Sequence, residues 1–187
     1  MTPWRARRGA RSLPLTGIGA ALLAMVIVEL AIPSGYRMIA LILIPPATTL
    51  LIWAVSLRRP AVPSGAPPEG YGFVAVLTAL SCLLMPAFPM LVGVTAPLTV
   101  AVLVLALFGR DIVLLVATAG MAAVSAVLWP RPSFWAGDGL AADDWIALAV
   151  QSAAGLALVT TALRCRRDEA ALSHAVEEPE TALAGPG

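Results

Sequence analysis

Residues 13–37 read LPLTGIGAALLAMVIVELAIPSGYR. Through residue 32 the run carries a single charge, Glu29, and a helix needs about 20 such residues to cross a bilayer. Five further runs of the same kind follow, at about 38–57, 71–88, 91–109, 112–129 and 144–163. The expected fold is therefore all-α: a polytopic transmembrane helical bundle of six spans. The whole chain agrees with this. Of 187 residues, 59% are hydrophobic and 12% charged, and mean hydropathy is +0.89. Soluble domains are nearer half apolar and a quarter charged. A chain with so little polar surface has the lipid bilayer as its first partner. The basic stretch WRARRGAR before the first run suggests a signal peptide, but no small-residue cleavage pattern follows, so the run reads as a retained span.

Arginine placement sets the expected orientation. All twelve basic residues are arginine. Arg5, Arg7, Arg8, Arg11, Arg58, Arg59, Arg110, Arg164, Arg166 and Arg167 fall on one side of a six-span threading, and only Arg37 and Arg131 on the other. The positive-inside rule then puts both termini in the cytoplasm. The chain divides into a cytoplasmic arginine-rich N-terminus (1–12), the membrane domain (13–163) and a cytoplasmic tail (164–187). Absence of lysine and asparagine, both written in AT-rich codons, points to a GC-rich bacterial source such as an actinobacterium, and so to a bacterial cytoplasmic membrane.

Loops and flanks fill in the picture. The segment RRPAVPSGAPPEG has the composition of an extended connector. Spans 3 and 4 read as joined by a tight external turn at PAFP, with a broken hairpin that crosses only in part as the alternative. The tail after Arg167 continues span 6 as a helix that Pro179 and the closing GPG should end, leaving a disordered terminus. Tyr36, Tyr71, Trp53, Trp129, Trp135 and Trp145 sit near span ends, where aromatic residues anchor at the interface.

Much chemistry is excluded. His174 is the one histidine and lies in the tail, which argues against histidine-dependent proteolysis, haem ligation or a zinc site. Cys82 and Cys165 have no metal-binding spacing and are expected as free thiols. PSGA at 63–66 lacks the histidines of the lipid phosphatase motif it superficially matches. GDGLAADD is not a calcium loop; Asp143 or Asp144 reads as a cap on span 6. A net charge of +1 argues against nucleic acid as a partner. No catalytic constellation, cofactor or metal site is expected, the one residual enzyme class being an unfamiliar lipid-modifying activity.

The polar groups inside the spans fall in the outer half. Glu29 lies near the outer end of span 1, Ser125 near that of span 5, and Gln151 about seven residues into span 6. Pro45 and Pro46 in span 2 and Pro97 in span 4 are candidate helix breaks that free the carbonyls of Leu41, Ile42 and Gly93. Two readings follow. Glu29 pairs with Arg37 across the turn PSG, or these groups wall an outward-facing polar cavity of the kind transporters build from broken helices. The inner half reads as almost purely apolar. Ala119, Ala122 and Ala126 of span 5, with Ala153, Gly155 and Ala157 of span 6, either pack those two spans together or form a homo-oligomer face.

The stretches RMIALILIPPATTLLIW and ALRCRRDEAALSHAVEE give the layout a resemblance to the multi-span membrane sensor region of actinobacterial signalling proteins, of the sensor kinase and membrane-tethered phosphatase type. The resemblance implies a final span leading through a charged helix to a cytoplasmic effector. No effector domain follows here, and His174 lacks the context of a phosphoacceptor. The expected function is thus a non-enzymatic sensor or regulatory membrane module acting on a separate protein through residues 164–178, with Arg164, Arg166 and Arg167 as partner-binding candidates. The alternative is a small transporter subunit or channel.

Overall fold

A computed structural model describes residues 11–58, 68–84, 95–128 and 142–183. Among them are six helices: α1 (Ser12–Ala31), α2 (Ser34–Arg58), α3 (Pro68–Leu84), α4 (Ala96–Gly109), α5 (Ile112–Leu128) and α6 (Ala142–Leu183). Arg5, Arg7, Arg8, Arg59, Arg131, Trp129, Trp135, Gly93, the PAFP turn and most of the GDGLAADD loop lie outside the described residues.

Local chemistry sets the helix ends. Ile32 precedes Pro33 and is extended, at φ −100 and ψ 132, because the proline ring disfavours helical backbone in the residue before it. Pro33 then accepts from the N–H groups of Tyr36 and Arg37 and opens α2. Pro97 does not break a span. It occupies the first turn of α4, where its missing N–H has no helical partner to lose. α4 ends at Gly109–Arg110. Arg110 takes left-handed backbone, φ 50 and ψ 43, while its N–H and that of Asp111 return to Leu107 and Ala106. That is the two-bond Schellman closure, with arginine where glycine is usual. Pro45 and Pro46 lie inside α2, which continues through them to Arg58. Their own carbonyls both accept from the Thr49 hydroxyl at 3.1 Å.

The helices close a ring in chain order, each antiparallel to its neighbours, with α1 packing on both α2 and α6. The seam between α1 and α6 is the most extensive, and that between α5 and α6 the thinnest of the ring. α1 is the most enclosed element and supplies Leu15, Ile18, Leu22 and Met25 to the core. Against them pack Leu41, Tyr71, Val74, Leu98, Leu105, Leu114 and Met121 from the other helices.

The outer surface is apolar on every helix: Ile27, Leu51, Leu83, Leu107, Val116 and Leu156 are all more than half exposed. Patches of that extent are abnormal for a water-facing monomer. Three helical stretches, Ser12–Ala31, Tyr36–Arg58 and Asp144–Ala170, are long and apolar enough to cross a membrane. α3, α4 and α5 are shorter, with 17, 14 and 17 residues, or about 21–26 Å against a hydrocarbon core of about 30 Å.

Three sequence expectations need correction. The alanines of α5 and α6 do not join those helices, since Ala119, Ala122, Ala126, Ala153 and Ala157 are exposed. Gly155 is buried instead against Gly19 of α1. Tyr71 is not an exposed interfacial anchor but one of the most deeply buried side chains. Pro179 does not end α6, which runs on to Leu183: a proline removes one backbone bond and kinks a helix without having to terminate it.

Candidate functional site

Polar side chains gather at both ends of the bundle. At the end opposite the arginines, Glu29 is buried near the close of α1. Its electrostatic neighbours are Arg37 on α2 and Asp144 on α6. Arg37 directs its Nε–H to the Ile32 carbonyl at 3.2 Å, so it closes the end of α1 while remaining in the field of Glu29. Asp143 and Asp144 both fall in the first turn of α6, where negative charge suits the helix dipole.

Ser125 belongs to a separate group. Its hydroxyl lies 2.8 Å from that of Thr95 and 3.2 Å from that of Thr99 across the α4–α5 seam, and Thr99 also donates to the Thr95 carbonyl at the start of α4. Gln151 is fully buried, and its Nε2 donates to the Leu22 carbonyl of α1 at 3.2 Å. A side-chain amide that holds a neighbouring backbone in this way acts as helix-to-helix glue. The predicted outer-half groups thus divide among three places: Glu29 with Arg37, Ser125 with the α4 threonines, and Gln151 with α1.

The arginine-rich end carries a polar knot of its own, built from residues at or beyond the ends of the apolar runs. Arg11 Nε lies 2.6 Å from Asp111 Oδ2. Asp111 is buried, and its Oδ1 accepts from the Val113 N–H at 2.9 Å, which makes it the cap of α5. Oδ2 has the Arg11 charge beside it but, among the described residues, no donor aligned for a hydrogen bond. Arg11 is half exposed, so the pair keeps one foot in water and is worth little as a pair. Loss of Arg11 would still leave a buried carboxylate oxygen without a counter-charge.

Glu169, on α6, closes the same knot. Its Oε2 accepts from the Ser12 hydroxyl at 2.8 Å and its Oε1 from the Ser12 N–H at 3.2 Å. α1 has no capping side chain of its own; a carboxylate 157 residues away in sequence fills that place, where both the free N–H groups and the helix dipole favour it. The Tyr71 hydroxyl is buried without a hydrogen-bond partner among the described residues, and Glu169 and Asp111 are charges that act on it.

Arg164, Arg166 and Arg167 are exposed on the α6 extension just before this knot. Sequence reading missed Ser12, Asp111 and Glu169, and assigned Tyr71 to interfacial anchoring. Asp111 carried a signal, an aspartate directly ahead of an apolar run, which marks a helix N-cap. Glu169 carried only a spacing: Gln151, Gly155, Leu158, Ala162, Cys165 and Glu169 recur at four and three residues and are the buried or half-buried side of α6. Comparison of the chain with known proteins finds no matching family model, no matching curated protein and no matching solved structure.

Proposed function

We propose that the chain is a non-enzymatic sensor or regulatory module of a bacterial cytoplasmic membrane, threaded six times with both termini cytoplasmic, which acts on a separate cytoplasmic protein. The observation that carries this reading is α6. It is one unbroken helix of 42 residues, about 63 Å long. It starts beside Glu29 and Arg37 at one end, lies against α1 through the bundle, and continues past Glu169 at the other. A continuous helix touching both ends offers a physical route for passing a displacement across a membrane. The exposed Arg164, Arg166 and Arg167 lie where the extension leaves the bundle and suit an acidic protein surface. Orientation is supported by Arg11, Arg58, Arg110 and Arg164 standing at one end and Arg37 at the other.

Photo-crosslinking residues placed at Arg166 and Arg167, in membranes of the native host, test the reading. The expected product is a discrete protein adduct that charge reversal at the neighbouring arginines abolishes and that the lipid-facing position Leu103 does not give. Lipid adducts alone at all three positions would remove the partner from the proposal. The transport alternative rests on Glu29, Arg37 and Asp144. It requires solute flux in proteoliposomes that Glu29→Gln reduces.

A further inference from the structure

We propose that the bond between Glu169 and the N-terminus of α1 is a releasable latch, which sets whether the extension of α6 stays aligned with the bundle. The inference deepens the signalling proposal and rests on its view of α6 as the transmitting element.

The α1–α6 seam changes character along its length. Its upper part is tight and mostly apolar. Gly155 meets Gly19 backbone to backbone, Val159 fits against Gly19, and Ala162 is fully buried. Below Ala162 the side chains of Leu163, Arg164, Arg166, Arg167, Asp168 and Ala170 are exposed, and only Cys165 and Glu169 remain half-buried against the bundle. Among the residues whose side chains are described, Glu169 is the last half-buried position of α6, and it meets α1 at its first residue, Ser12.

The chemistry of that last contact suits reversible opening. A half-exposed carboxylate and two N-terminal donors can each exchange the other for water, so the net free energy of the bond is small although its geometry is good. The upper seam has no such exchange available, since its glycines and aliphatic groups gain nothing from water. Opening at Glu169 therefore need not unzip the rest. Arg11, one residue away, is tied in the other direction to Asp111 on α5. The N-terminus of α1 thus stays anchored when the extension leaves it.

Double electron–electron resonance on the whole chain in lipid nanodiscs tests this. Spin labels go on Arg58→Cys and Arg167→Cys, both exposed positions, in a Cys82→Ala, Cys165→Ser background. The unaltered latch should give one narrow distance. Glu169→Ala should add a displaced population, raised about tenfold or more, the scale of losing a hydrogen bond to a charged acceptor. Glu169→Gln, whose amide oxygen still accepts from Ser12, should restore the narrow distance. Ser12→Ala, which removes only the hydroxyl donor, should release less than Glu169→Ala, and it keeps the test available if the latter does not assemble. An unchanged distribution in both Glu169→Ala and Ser12→Ala overturns the latch. Failure of protein crosslinking from Arg166 and Arg167 alongside a released population in Glu169→Ala would remove the partner and leave the latch standing.

Discussion

Gly19→Ala is the perturbation that most directly probes how α1 and α6 are held. A methyl group at residue 19 would lie 2.8 Å from Val159 Cγ2, 2.9 Å from the Gly155 carbonyl oxygen and 3.1 Å from the Val159 nitrogen. Two of these three neighbours are backbone and cannot rotate away, and the β-branched valine is stiff at χ1. The carbonyl contact is about half an ångström short of the 3.4 Å at which ordinary packing begins, so relief requires the two helices to move apart along their best-packed stretch. Overpacking of this kind costs about 1–3 kcal/mol. Alanine recovers up to about 1 kcal/mol through its better helix propensity, so with full recovery the net loss is at most about 2 kcal/mol. Gly120→Ala is the matched control: nothing lies within 4 Å of the added methyl, so only the propensity gain of up to about 1 kcal/mol remains. Reversible unfolding in mixed micelles of rising SDS fraction, followed by tryptophan fluorescence, would read both. Gly19→Ala should unfold earlier than the unaltered protein and Gly120→Ala at the same point or later. A Gly19→Ala protein as stable as the unaltered one, or a Gly120→Ala protein as weakened as Gly19→Ala, would refute the close approach of α1 and α6.

The same titration checks three further outcomes. Arg110→Gly should stabilise by up to about 1 kcal/mol by relieving the left-handed backbone at φ 50, whereas Arg110→Ala should give no gain; equal gains would assign the effect to charge. Asp111→Ala should cost about 1–2 kcal/mol through the lost cap of α5, and Asp111→Asn clearly less, because Oδ1 can still accept from Val113. Equal losses in the two variants would show that the pairing with Arg11, not the cap, carries the energy. Gln151→Leu should cost under about 1 kcal/mol, the scale of an interhelical hydrogen bond in lipid, since the Leu22 carbonyl also belongs to the ladder of α1; a loss of several kcal/mol would make Gln151 more than glue.

The helices were legible in the sequence because hydropathy reports on the solvent each segment faces, and lipid demands long apolar runs wherever the chain crosses. The starts of α1, α5 and α6 fell within a residue or two of expectation. The start of α4 did not: the apolar run from residue 91 looked continuous, and only the structure shows the helix beginning at Ala96, with Pro97 in its first turn. Partners were less legible than elements. Glu29 and Arg37 stand at the same end of the bundle, but nothing in the chain said that Arg37 would donate to Ile32. Gly155 was noticed as small without the identity of what it lets approach. The knot of Ser12, Tyr71, Asp111 and Glu169 draws on four separated segments, and no local pattern encodes a contact between residues 12 and 169. Arginines were read for which side they mark, which hid the carboxylates standing next to them.

The pairing of the first helix with the last has a consequence for how the protein is made. Gln151 reaches a carbonyl 129 positions earlier in the chain. At ordinary translation speeds those residues take on the order of ten seconds to synthesise, and throughout that interval α1 must wait without the helix that covers its Gly19 face. Ring closure is thus a late, long-range event, of the sort that slows folding. A ribosome stalled before residue 142 would leave a five-helix chain whose most buried element has no cover on that face. Such a product would present membrane quality-control proteases with the Gly19 surface that the finished protein hides against Gly155 and Val159.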